Sequence, residues 1–308
     1  MPENKLFPPE GLRPPAEFTM ASLKEAAERH QILEAVAQRC GPDHTLHFSL
    51  DGIAGEMPRS QAVAPWVSGA GREIAVLSRV GRPTCFTVTA IRADAKGAPV
   101  ALLSRREAQD QAMDHFLSHL EPGMVLVCRV TRLERFGVFL DVGCGIAAML
   151  PIERISVSRI SHPAQRFREG QKILAAVYAI DREARRLTMT HRELLGTWME
   201  NASRFCPGET VRGVVRGIQP YGSFIELTPN LSGLAENRQD LAEGDAVSVF
   251  IKSIRPESMK LKLQVVERLG PAAGQETPVY QVTDGQLERW VYSPPGCVKT
   301  VETVFTGP

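Results

Sequence analysis

The 308-residue sequence carries almost no net charge, which removes one class of function at the outset. Lysine and arginine number 36 against 35 aspartates and glutamates. The whole molecule is therefore no polycation of the kind that coats duplex DNA through salt-driven phosphate contacts. Long apolar runs are missing too. No stretch approaches the ~18 residues of a membrane span, and the opening Met-Pro-Glu-Asn-Lys-Leu-Phe-Pro-Pro has no apolar segment of the kind that directs secretion. A cytoplasmic protein without membrane contact is expected. The cysteines at 40, 85, 128, 144, 206 and 297 form no Cys-x-x-Cys pair and read as reduced, mostly buried thiols. No nucleophile–base set and no phosphate loop is present. His115 and His119 stand at i, i+4, but Phe116 follows His115 where a zinc helix has glutamate, and no third ligand is evident. Neither metal nor cofactor is expected, and the chain reads as non-catalytic.

What is present is a repeat. Gly123-Met-Val-Leu-Val-Cys-Arg-Val-Thr-Arg leads through Leu-Glu-Arg135 into Phe136-Gly137-Val138-Phe139-Leu140-Asp141-Val142. With a strand period of two, Val138, Leu140 and Val142 face a core and Phe139 shares the other face with Asp141. A large aromatic on a polar face is unusual, because burial would place it inside. Phe136 points inward by parity, and a bulge at Gly137 would return it to Phe139's face. The second copy runs from Gly208 to Tyr221-Gly222-Ser223-Phe224-Ile225-Glu226-Leu227. In both, a Gly-led strand follows (from Gly170 and Gly244), then a polar turn and a last alternating strand. Five short strands in about 60–75 residues predict a Greek-key barrel. The fold class is mainly β, with tandem five-stranded OB-fold barrels joined by short α-helices.

These residues resemble the S1-type RNA-binding repeat of bacterial ribosomal protein S1 and its relatives, and the order of segments is similar to S1-like proteins of Gram-positive bacteria. The resemblance covers residues 121–193 and 207–267 well and 42–107 weakly. It implies an RNA-facing set: the aromatics fall on Phe136 and Phe139, then on Tyr221 and Phe224. An Asp after the fourth strand falls on Asp181, replaced by Arg255 in the later repeat. An Arg opening the last strand falls on Arg186, replaced by Lys260, which lacks arginine's planar fork. The family's common His falls on Pro151 and Glu236, departures from the pattern. Residues 121–193 hold twelve basic against eight acidic residues, and 207–267 hold seven against eight. The second repeat should dominate any RNA contact.

Along the chain, residues 1–41 should be a Pro-rich segment and a helix over 22–39, opened by a Ser22–Glu25 capping box. Residues 42–107 read as a worn barrel without a first strand or the aromatic motif, whose Arg79, Arg82, Arg105 and Arg106 are solvated charge or phosphate contacts. A helix follows, with Ala108, Ala112, Phe116 and Leu120 inward, linking at 108–120. After the repeat at 121–193, residues 194–206 read as a linker helix with Trp198 pinning it, and 192–205 as about 20 Å of stiff spacing. Residues 268–308 should be a linker and a hairpin of 279–282 with 289–292, with Trp290 and Tyr292 either docking it on a barrel or stacking on RNA. The connection between the third and fourth strands is 11 residues longer in 121–193 than in 207–267. Its arginines, Arg154, Arg159, Arg166 and Arg168, are either a phosphate track or a solvated loop.

The leading expectation is a single-stranded RNA binder acting on mRNA, with the ribosomal small subunit as a partner through the resemblance. The alternative is an adaptor docking on the ribosome, RNA polymerase or a nuclease. An enzyme with accessory barrels has no room for a catalytic domain.

Overall fold

Strand periodicity repeats three times along the chain, and each time the strands close on themselves. The computed structural model describes residues 6–67, 73–272 and 277–305. The first barrel contains β1 (Leu33–Cys40), β2 (Leu46–Leu50), β3 (Ile53–Met57), β4 (Pro83–Ala93) and β5 (Pro99–Ser104). The second contains β6 (Val125–Glu134), β7 (Gly137–Asp141), β8 (Ala147–Pro151), β9 (Lys172–Asp181) and β10 (Arg186–Thr190). The third contains β11 (Thr210–Gln219), β12 (Gly222–Thr228), β13 (Leu231–Ala235), β14 (Asp245–Arg255) and β15 (Lys260–Pro271). In each, the first strand pairs with the second and fourth, and the third pairs in parallel with the fifth. This is the closed five-stranded OB-fold arrangement expected. Val138, Leu140 and Val142 are fully buried in the second core, with Val130, Leu150 and Met189.

Several readings of the sequence need correction. The helix expected over 22–39 is α1 (Met20–Glu28), with Thr19 as its N-cap and Ser22 completing the capping box. His30 then takes φ 49°, and the chain turns into β1, the strand the sequence seemed to lack. The first barrel starts at Leu33, not at residue 42. β1 pairs with both β2 and β4, and barrel closure overrides the helical spacing of Ile32, Leu33 and Val36. A short helix, α2 (Glu73–Leu77), lies between β3 and β4. Next, α3 (Arg105–His119) forms as expected, burying Ala108, Ala112 and Phe116 against the second barrel.

The stiff spacer of 192–205 is absent. Arg192–Leu195 makes one 3₁₀ turn, Gly196 at φ 86° breaks the helix, and Thr197 caps a new short helix, α4 (Trp198–Ala202), through a capping box with Glu200. Trp198 is buried with Trp290 and Tyr292 in the third barrel's cluster, so the two barrels are clamped directly together. The tail hairpin pairs β16 (Arg289–Val291) with β17 (Glu302–Val304), not with 279–282. Residues 280–282 instead run against Leu194, with Gln281 N–H donating to its carbonyl at 2.8 Å. β15 runs past residue 267 to Pro271.

The long connection in the second barrel builds the joint with the third. Val157 N–H donates to Asn230 Oδ1 at 3.0 Å, and Ser158 N–H to the Pro229 carbonyl at 3.0 Å. Asn230, fully buried, also donates to the carbonyls of Arg192 and Gly196 at 2.8 Å each, and its own carbonyl accepts the Tyr292 hydroxyl at 2.6 Å. One residue, through its side chain and its carbonyl, thus ties together the connection, the linker, the tail and a β12–β13 turn.

At the other joint, Glu10 is buried between barrels one and two. Its carboxylate accepts from Arg105 at 2.7 and 3.0 Å, from Arg79 at 2.6 Å and from Cys85 N–H at 3.1 Å. Burial raises the Glu10 carboxyl, but the two guanidiniums outweigh it and bring it down to about 2. Arg79 and Arg105 are therefore structural ion-pair partners, neither solvated charge nor phosphate contacts. Glu10 N–H donates to Asp141 Oδ2 at 2.8 Å, and Oδ1 accepts from Gly143 and Gly145. Burial and the Glu10 charge push Asp141 up to about 7 against those N–H donors. All six cysteines are free thiols, with Cys85, Cys128 and Cys144 buried.

Candidate nucleic-acid interface

Each aromatic ledge is built by a tight turn and the strand that leaves it. Phe136 sits in the turn before β7, outside the strand, so strand parity does not bind it. Gly137 leaves the turn at φ 156°, and a Cβ there would lie 2.4 Å from the Leu150 carbonyl oxygen. The bulge expected at Gly137 lies across the ladder instead, where β6 carries an extra residue between Val130 and Arg132. The other two barrels have the same bulge, between Val215 and Gly217 and between Ala37 and Arg39.

Phe136 is 58% exposed and Phe139 is half-buried, with ring centroids 6.1 Å apart at 89°. In the third barrel Tyr221 is 70% and Phe224 37% exposed, 6.2 Å apart at 88°. The two ledges are near copies: edge-to-face pairs in which the outer ring stands free in solvent.

Register shows what flanks them. Phe139 pairs with Met149, and Met149 with Thr188. Phe224 pairs with Leu234, and Leu234 with Lys262. Arg186 and Lys260 each stand one outward position away from that rung, opposite Asp181 and Arg255 respectively. Asp181 caps its own turn, accepting Ala184 N–H at 2.8 Å. Arg186 and Lys260 are exposed. Pro151 and Glu236 fall at matching ends of β8 and β13, with Glu236 exposed 4.0 Å from Lys252. The motif therefore located the aromatics but missed Met149, Thr188, Leu234 and Lys262. Those come from pairing the third strand with the fifth in parallel, a long-range contact that leaves only a weak alternation in Ala147-Ala-Met149-Leu-Pro151.

The first barrel's corresponding rung is different. The shared bulge aligns His47 with Phe139 and Phe224, and His47 pairs with Glu56, which pairs with Leu102. Glu56 accepts from Arg92 at 2.8 Å. A carboxylate at the centre of the rung is poorly suited to a polyanion.

Of the arginines in the long connection, Arg166 is buried, gripping Glu226 with both terminal nitrogens. Arg154 lies over the Tyr178 ring, 3.1 Å from its centroid. Arg159 and Arg168 are exposed. His115 and His119 stack at 4.2 Å, and His115 also packs on Phe7. Among the described residues no group of three or more His, Cys, Asp or Glu is placed to hold a metal, and no helix is long and apolar enough to cross a membrane.

Comparison with known proteins bears on this interface. The family model described as S1 RNA binding domain matches residues 119–192. The Small ribosomal subunit protein bS1 homolog of Bacillus subtilis (strain 168) is 29% identical over 181 residues, covering 54% of this chain and 47% of the relative. The Small ribosomal subunit protein bS1 of Leuconostoc lactis is 29% identical over 180 residues, covering 53% and 42%. The chain thus spans less than half the length of these two curated relatives. A solved multidomain protein with nucleic acid binding domains from Streptococcus pneumoniae TIGR4 is 13% identical, with a TM-score of 0.26 over 77% of this chain and 73% of that one. The barrel that carries Phe136 and Phe139 is thus the part that matches the S1 RNA binding domain model, in a chain similar over about half its length to bS1 proteins.

Proposed function

We propose that the chain binds single-stranded RNA without catalysis, stacking bases on Phe136/Phe139 and Tyr221/Phe224, and that its RNA is mRNA engaged in translation at the small ribosomal subunit. Asp181, Arg186 and Lys260 flank the ledges, the two basic residues meeting phosphate. The observation that carries this reading is the repetition of one geometry, an exposed ring edge-to-face on a half-buried one, at the same register of two barrels. Stacking contributes about 1–3 kcal/mol per base and tolerates any base, so affinity needs little net charge and sequence preference is modest.

The test is fluorescence anisotropy with a single-stranded RNA of about 20 nucleotides, enough to cover more than one barrel. The double variant Phe136→Ala/Phe139→Ala should weaken binding about 30-fold or more, from one to two lost stacking contacts. Matched duplex RNA should bind poorly, its bases being unavailable to the rings. Unchanged single-strand binding in the variant sinks the reading.

A second reading, a protein adaptor, has one observation in its favour. Val36, Ile74, Leu77 and Val80 are exposed on the first barrel, which lacks a ledge. Intact ribosome association in a chain lacking both aromatic pairs would favour it.

A further inference from the structure

The clamp between the second and third barrels encloses a cavity of about 580 Å³. It is lined by five arginines, Arg166, Arg168, Arg204, Arg212 and Arg216, against a single carboxylate, Glu226. That carboxylate is fully engaged: Arg166 and Arg216 each hold it with two nitrogens. Arg168, Arg204 and Arg212 are exposed at the rim, and their side chains make no hydrogen bond or ion pair among the described residues. His191 also lines the cavity, and burial keeps it neutral at pH 7. Three uncompensated guanidiniums around one concavity create a strong local positive potential, although the third repeat as a whole is slightly acidic.

The cavity lies next to the third barrel's ledge. Phe224 and Glu226 share the outer face of β12, two residues apart, and Glu226 lines the cavity. One such step is about 7 Å. The bulge residue Arg216, opposite Phe224's rung, reaches into the same space and meets Gln165 of the second barrel at 3.3 Å. A strand stacked on Tyr221 and Phe224 therefore has its next backbone groups over the arginines, whose forked donors match phosphate oxygens.

We propose that this cavity holds backbone phosphates of the single-stranded RNA whose bases stack on Tyr221 and Phe224, so that the two barrels grip one strand through their joint. The inference rests on the RNA-binding reading above. Of the two alternatives for the arginines of the long connection, it keeps a phosphate contact for Arg168 alone, while Arg204 and Arg212 come from the linker and β11.

The experiment is a salt titration of RNA binding by the triple variant Arg168→Gln/Arg204→Gln/Arg212→Gln, beside Tyr221→Ala/Phe224→Ala. Losing three phosphate contacts should flatten the slope of log K against log salt by about 2 and weaken binding about tenfold at moderate salt. The aromatic variant should lose affinity at an unchanged slope, because stacking releases no counterions. Exposed, unpaired arginines add little to folding, so the triple variant should keep its melting temperature. An Arg-to-Lys triple should keep most of the slope. A triple variant with wild-type affinity and slope overturns the cavity assignment, whatever the aromatic variant does. Loss in the triple variant with none in either aromatic variant leaves the cavity standing and overturns the stacking reading. Calorimetric saturation by tripolyphosphate that leaves RNA binding unaffected would assign the cavity to a free phosphate ligand and overturn the proposal.

Discussion

Acid should loosen the joint through His191, and the amount can be worked out. The ring is 1% exposed, with Nδ1 2.8 Å from the Ile155 carbonyl and Nε2 3.2 Å from the Tyr280 hydroxyl. That hydroxyl already accepts Leu174 N–H at 3.0 Å, so its proton goes to Nε2 and the proton on Nδ1 goes to Ile155. A second ring proton could be accepted only if the Tyr280 hydroxyl turned its own proton away from Nε2 and lost that bond. Burial, helped by the Arg166 charge and opposed by the Ile155 carbonyl, holds the pKa down to about 4. The unfolded chain takes its proton near 6.5, the folded chain only near 4. Stability from this group is intact above about 6.5 and is lost as pH falls toward 4. Between pH about 7.5 and about 4.5 the loss is about 2.5 kcal/mol, roughly two units at 1.36 kcal/mol each. Asp141 runs the other way. Its folded carboxyl titrates near 7 and its unfolded one near 3.8, so its contribution falls as pH rises across that interval. The wild-type profile should therefore be shallow, and His191 must be isolated by difference. Urea melts of wild type and His191→Gln at both pH values do this, since glutamine keeps a donor and an acceptor but does not titrate. Acidification should shift the stability difference by about 2.5 kcal/mol in the variant's favour. A difference that is the same at both pH values refutes a neutral, buried His191.

Asn230→Ala strips three side-chain hydrogen bonds from buried or partly buried partners, and calorimetry should show a loss of about 3 kcal/mol, near 1 kcal/mol for each. In Gly123→Ala the new Cβ would lie 1.9 Å from the Leu287 carbonyl oxygen at a backbone φ of 89°. The tail should lift from the second barrel, read as faster amide exchange at residues 285–292 and a red shift in tryptophan emission. Lys262→Ala should weaken RNA binding about three- to fivefold, as for one phosphate contact, and Lys260→Ala by less, because Lys262 shares Phe224's rung. Equal losses in anisotropy would refute that ordering.

The second and third barrels were legible because their strands alternate strictly and each carries the Phe/Tyr-Gly-x-Phe turn. The four ledge aromatics were legible for the same reason, since rings on a polar strand face stand out. β1 was not. Leu33-Glu-Ala-Val-Ala-Gln-Arg-Cys follows α1 with no glycine or proline between, and only pairing with β2 and β4 makes it a strand. The joints were invisible for a related reason. Asn230, Glu10 and Arg166 look like surface residues in sequence, and their partners lie tens to more than a hundred positions away. Gly196 could have warned against a continuous linker helix, as glycine is costly inside one.

The tail's grip on both barrels has a consequence for how the molecule is made. Each barrel closes mostly through neighbouring strands, so all three can form in succession as synthesis proceeds. The clamp cannot. Leu174 waits 106 positions for Tyr280, the Pro122 carbonyl 164 for Gln286, and the Asn230 carbonyl 62 for Tyr292. Closing such long loops costs only slightly more entropy than closing short ones, so the delay is one of timing more than of free energy. Until residue 292 is in place, the joint between the second and third barrels rests on contacts such as those of Val157, Ser158 and Arg166, and the spacing between the two aromatic ledges gains its remaining ties only when the tail docks.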